Sequence, residues 1–171
     1  DMTARLFDAK TGLEIATLRG HHDALRDVAF NVDGTRLLTG SDDATARLWD
    51  GANGRAIAVF GQHRQRVTGV AFRPGGLWIA TASPEGYAYL HELAPRQTSF
   101  EVKANSNEFG AAVLDRSGRR FATYQLGLAH LWDIRERRQI GSFGATGPDP
   151  RGRAVTSLEF SPDETHILTT H

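Results

Sequence analysis

One segment of the chain returns about every 42 residues, and a period of that length restricts the architecture more than any local pattern does. Thr3-Ala4-Arg5-Leu6-Phe7-Asp8 recurs as Thr45-Ala46-Arg47-Leu48-Trp49-Asp50, as Tyr87-Ala88-Tyr89-Leu90-His91-Glu92 and as Leu128-Ala129-His130-Leu131-Trp132-Asp133. A second ladder, Val28-Ala29-Phe30, Val70-Ala71-Phe72, Ala112-Val113-Leu114 and Leu158-Glu159-Phe160, runs in register with the first. Its last interval is stretched by an insertion around Gly147-Pro148-Asp149-Pro150-Arg151-Gly152.

Within each period the apolar residues alternate or form short runs bounded by Gly, Pro, Asp and Ser, which is the pattern of strands and turns. The first complete period predicts strands over Leu25 to Asn31, Arg36 to Ser41, Thr45 to Asp50 and Arg55 to Phe60. Turns at Asp33-Gly34, Asp42-Asp43 and Gly51-Ala52-Asn53-Gly54 separate them. A lone four-stranded sheet buries too little surface, so such sheets must stack on one another, and radial stacking makes a β-propeller. The expected fold is all-β, with blades over 20–61, 62–104 and 105–144, the end of a blade over 1–19 and the start of a further one over 145–171. Placing Asp1 after His171 nearly restores the spacing from Leu38 to Asp50, so the chain holds a whole number of repeats. The expectation is an excerpt from a larger ring; the alternative is two copies that exchange half blades and close an eight-bladed ring.

These residues resemble the WD40 repeat family. Gly20-His21, Val28-Ala29-Phe30, Asp33-Gly34, Leu37-Leu38-Thr39-Gly40-Ser41, Asp43 and Leu48-Trp49-Asp50 follow its pattern almost position for position. The second repeat has His63 and Ile79-Ala80-Thr81-Ala82-Ser83 but sets His91-Glu92 where Trp-Asp is expected; the third has Asn105 for the histidine and regains Leu131-Trp132-Asp133. The resemblance implies a buried network of His21, Ser41 (or Thr39 on the same strand face), Asp43 and Trp49. Its counterpart in the second repeat is His63 with Ser83 and Glu85, incomplete or differently wired because of His91, and Trp132 belongs to the third. An imidazole that bonds a carboxylate and a hydroxyl, with the hydroxyl accepting from an indole, strands no polar group.

Composition narrows the chemistry. Twenty basic side chains balance twenty acidic ones, so no overall field draws the chain to nucleic acid or an anionic membrane. No apolar run nears the ~20 residues of a membrane span, and the chain is expected to be cytoplasmic. The absence of cysteine excludes disulfides, thiolate zinc sites and cysteine nucleophiles. His21-His22 and His91-Glu92 lack metal-ligand spacing, and no Gly-rich phosphate loop with a Lys occurs, so no metal and no cofactor are expected. His21, Ser41 and Asp43 imitate a catalytic set, but the repeat gives all three a structural task, and no catalytic residue is assigned.

The resemblance places partner binding on the face that carries the fourth-to-first and second-to-third strand loops. Transferred to this sequence, it offers His22, Asp23 and Arg26, then Arg64, Gln65 and Arg66, then Asn105, Asn107 and Glu108, with Asp149 and Arg151 in the insertion. The expected function is a non-catalytic scaffold or sensor module that binds a protein or peptide, as a segment of a larger signalling or regulatory protein. Further blades of the same chain, or a second copy, are expected as assembly partners. The alternatives are a half-propeller whose main role is oligomerisation, and a nucleic-acid contact through Arg-bearing loops.

Overall fold

A computed structural model describes residues 2–93, 99–103, 112–125, 128–144 and 157–170. Strands β1 (Ala4–Phe7) and β2 (Glu14–Leu18) form a two-stranded sheet. A four-stranded sheet follows, made of β3 (Leu25–Phe30), β4 (Arg36–Ser41), β5 (Ala46–Asp50) and β6 (Ala56–Phe60). The next holds β7 (Gly69–Phe72), β8 (Trp78–Ser83), β9 (Tyr87–Glu92) and β10 (Ser99–Lys103). The third comprises β11 (Ala112–Leu114), β12 (Arg120–Gln125), β13 (Leu128–Asp133) and β14 (Arg138–Gly144). Finally, β15 (Ser157–Phe160) and β16 (Ile167–Thr170) pair with each other. All pairings are antiparallel between consecutive strands, and the first strands stand side by side, β3 by β7, β7 by β11 and β11 by β15. The described sheets are therefore blades of one propeller, which is not closed within this chain.

Turn chemistry sets the hairpins. Between β3 and β4, Asn31 Oδ1 accepts from the Arg36 amide at 2.9 Å, Asp33 Oδ1 accepts from the Thr35 amide at 2.9 Å, and Gly34 takes the left-handed conformation at φ 71°. At the same place in the last hairpin stands Glu164, at φ 60°. A left-handed side-chain-bearing residue costs about 1–2 kcal/mol. That cost is offset across blades, because the Glu164 carboxylate accepts from the Ser117 amide at 2.5 Å and its carbonyl accepts from Arg120 Nη2 at 3.2 Å.

The core lies in the seams between sheets. Second strands are covered on both faces, so β4 is buried over Leu37, Leu38, Thr39, Gly40 and Ser41, while the outer strand β6 is largely exposed. Register repeats from sheet to sheet, with Leu38 opposite Leu48, Ala80 opposite Leu90 and Ala122 opposite Leu131. One face of β1–β2 puts Leu6 and Leu18 on Leu37 and Trp49. Leu38 and Leu48 meet Val70 and Ile79; Ala80 and Leu90 meet Phe121 and Trp132; Ala122 and Leu131 meet Leu158. Each large apolar side chain so buried contributes roughly 1.5–3 kcal/mol. Polar bonds cross the first full seam as well: the Val67 amide donates to the Ser41 carbonyl at 2.8 Å, and the Val70 amide donates to Asp27 Oδ2 at 2.8 Å.

The two-stranded sheets lack this cover on one side. Phe7 is 52% exposed, whereas Trp49 at the equivalent place is 1% exposed; Leu168 is 63% exposed, against 0% for Leu38.

Gly40 faces the seam with the next blade, where a Cβ would stand 2.9 Å from Val67 Cγ1 and 3.1 Å from the Val67 carbonyl oxygen. Gly40→Ala is expected to destabilise the chain by about 1–3 kcal/mol. Urea denaturation checks it, and an unmoved midpoint would contradict this packing.

Candidate interaction face

The loops that enter the first two full blades are each anchored from below by a histidine. His21, at the foot of the β2–β3 loop, sets Nδ1 at 2.8 Å from Asp43 Oδ2 in the β4–β5 turn and Nε2 at 2.7 Å from Thr39 Oγ1. The Trp49 indole donates to the same Thr39 oxygen at 2.9 Å. Since an ionised carboxylate can only accept, neutral His21 carries its proton on Nδ1 toward Asp43, and its bare Nε2 accepts from the Thr39 hydroxyl, whose oxygen accepts from the indole. Asp43 also accepts from the His22 amide at 2.9 Å, the Thr45 amide at 2.9 Å and the Thr45 hydroxyl at 2.6 Å. Burial pushes the Asp43 carboxyl up, but the bonds from Thr45, His22 and His21 outweigh it and hold it well below the usual carboxylate range. For His21, burial wins over the neighbouring carboxylate and lowers its affinity for a proton.

The hydroxyl of this network is Thr39, which corrects the assignment of Ser41. Both residues point to one face of β4, but only Thr39 lies within reach of both the imidazole and the indole. Ser41 sits at the strand end, where its hydroxyl donates to the Asp23 carbonyl at 3.1 Å and accepts from the Asp43 amide at 3.2 Å. The same correction applies to Ser83, which accepts from the Glu85 amide at 3.4 Å while Thr81 takes the central place. Thr39 is 1% exposed and already engaged on both sides, so this set presents no nucleophile to a substrate.

The second blade is complete but wired with an imidazole. His63 Nδ1 lies 2.8 Å from Glu85 Oε1 and Nε2 2.9 Å from Thr81 Oγ1. His91, in the place of Trp49, approaches Thr81 Oγ1 through Nε2 at 3.4 Å and packs against Phe60 of the preceding blade, the rings tilted by 38° with centroids 4.7 Å apart. Burial, and next the charge His63 would carry, push His91 down to about 4. In the third blade, Trp132 donates to Thr123 Oγ1 at 3.0 Å.

With their feet fixed, the loops hold their tips in solvent. His22, Asp23, Arg26, Arg64, Gln65 and Arg66 are exposed on one face. Arg26 is not free there: Nε donates to Asp42 Oδ1 at 2.7 Å and Nη2 to Oδ2, a two-pronged pair that stiffens the rim. Arg64 is fixed through its backbone, whose amide donates to Glu85 at 3.0 Å, while its guanidinium projects outward. Asn105, Asn107, Glu108, Asp149 and Arg151 lie outside the described residues. Sequence reading passed over Asp27, a carboxylate on an inner strand that accepts from the next blade, and Arg47, whose surroundings only the register reveals. An acid set within the first-strand ladder of Val28-Ala29-Phe30 is the one signal that marks Asp27 beforehand.

Comparison with known families agrees with this geometry. Residues 12–50 and 54–91 match the family described as WD domain, G-beta repeat. These two stretches are WD40 repeats, which generally mediate contacts between proteins and are typically non-catalytic. None of the curated proteins compared with the chain matches it.

His91 is 3% exposed and has no carboxylate partner among the described residues. Because its folded value of about 4 lies below the ordinary 6.5, the unfolded chain takes up this proton first as pH falls. Stability is therefore full above the ordinary value and is lost between it and the folded value, by roughly 3 kcal/mol for this group. His91→Phe, which keeps a ring against Phe60, is expected to remove that share of the loss between pH 7 and 4. Chemical denaturation at several pH values checks it; an unchanged acid slope would contradict it.

Proposed function

We propose that this chain is a non-catalytic WD40 scaffold or sensor module that binds a protein or peptide through the face carrying loops 19–24, 42–45, 61–68 and 84–86. The observation that supports this reading is a division of labour within each loop. His21 and His63 are buried and spent on structure, while the neighbouring His22, Arg64, Gln65 and Arg66 are exposed and leave their side chains for a partner. A rigid base lowers the entropy lost when such a loop is captured. The Arg26–Asp42 pair neutralises part of the rim, which favours a protein surface of mixed charge over a polyanion.

The exposed Phe7 and Leu168 favour a second reading of the end sheets. Further strands, from adjoining blades of the same chain or from a second copy, complete them and cover these side chains.

Recovery of bound protein on the immobilised chain tests the rim. Arg64→Glu with Arg66→Glu is expected to reduce recovery of a specific partner about tenfold, the loss of ~1.4 kcal/mol at an anchor. Arg55→Glu, on the exposed turn at the opposite end of the blade, is expected to leave it unchanged. Equal recovery by both variants would contradict the rim assignment, and a steep loss of binding between 50 and 200 mM salt, on the scale of about a thousandfold, would favour nucleic acid instead.

A further inference from the structure

Positions 47, 89 and 130 occupy one place in three successive blades. Each lies on a third strand opposite the central threonine of the second strand: Arg47 opposite Thr39, Tyr89 opposite Thr81 and His130 opposite Thr123. Toward the fourth strand the register sets them against Val59, Glu101 and Ser142. In two of the three blades that neighbour satisfies the polar group. Tyr89 donates its phenol proton to Glu101 Oε2 at 3.2 Å, and His130 Nδ1 meets Ser142 Oγ at 3.0 Å.

Arg47 has no such neighbour. Val59 can accept nothing, and no carboxylate among the described residues lies within ion-pair distance of the guanidinium. Among the described residues, Arg47 Nε is a buried side-chain donor without a hydrogen-bond partner. The head group is also confined, since a Cβ at Gly20 would stand 2.7 Å from Nη1 and 3.7 Å from the edge of Trp49. A donor left without an acceptor is costly, and because Arg47 as a whole is only partly buried an outside group can approach its fork; the group that suits a planar fork of N–H donors is a carboxylate with two coplanar oxygens. Beside the fork lies apolar surface, because Val59 is 52% exposed.

We propose that Arg47 is a carboxylate-receiving site, taking the side chain of an Asp or Glu in an extended partner segment whose apolar neighbour lies on Val59. The proposal rests on the reading that the chain binds a polypeptide, but not on which rim loops do so. Gly20 serves it by omitting a side chain, so that the fork is held beside the β2–β3 loop.

The test follows the Arg47 Nε–H signal by nuclear magnetic resonance in the full 171-residue chain. The probes are the peptide acetyl-Leu-Glu-Val-amide and its Leu-Gln-Val counterpart. The Glu peptide is expected to shift the signal saturably and to bind at least about tenfold more tightly than the Gln peptide. Arg47→Gln is expected to abolish that difference while leaving the melting temperature within a few degrees. Equal responses of the unaltered chain to the two peptides would overturn the proposal, a comparison that needs no variant to fold. A stronger response to inorganic phosphate than to the Glu peptide would also overturn it. Neither result bears on Arg64 and Arg66, so failure here is distinct from failure of the rim assignment.

Discussion

A neutral imidazole held between a carboxylate and a threonine hydroxyl ties the loop before each of the first two full blades to that blade's second strand, and the rest of the architecture depends on this clamp. His21 joins Asp43 in one turn to Thr39 in the sheet, and His63 joins Glu85 to Thr81 in the same way. Through Thr39 the clamp reaches Trp49, the residue that packs on Leu6 and Leu18 across the seam with the preceding sheet. One polar chain thus sets the loop, the strand spacing and the position of the largest apolar side chain in the seam. Burial makes each link stronger, and it makes each more costly to break.

The seams turn separate sheets into one body. No sheet here could stand alone, because its second and third strands are apolar on both faces and need cover from both sides. The cover is not uniform. Trp49 and Trp132 each place an indole in a seam, whereas His91 places a smaller, titratable ring against Phe60. The second blade keeps the geometry of the clamp and exchanges the chemistry of one member, which puts a titratable ring in its seam where the neighbouring blades place an indole. The rim above is then a set of exposed side chains on loops whose freedom was removed lower down.

Much of this was legible in the sequence because the fold is written in a repeat. Two ladders in register set out the strands of the first full blade to within a residue or so, whereas the grouping of His21, Asp43 and Trp49 came from the resemblance to the WD40 repeat and not from the period itself. The choice between Ser41 and Thr39 was left open for a physical reason: both point to the same face, and only the register of Trp49 opposite Leu37 shows that the indole reaches Thr39. His91 was visible as a departure from the pattern, but its packing on Phe60 belongs to the seam and lies in no single repeat. Arg47 reads as an ordinary strand residue until Val59 is found opposite it where the other blades have Glu101 and Ser142.

The protonation pattern of the histidine rings tests the clamp most directly. Long-range nitrogen–proton correlation spectra at neutral pH report which ring nitrogen carries the proton. The clamp requires the proton on Nδ1 in both His21 and His63, facing Asp43 and Glu85, with Nε2 accepting from threonine. A proton on Nε2 of His21, or rapid exchange between the two forms, would contradict it.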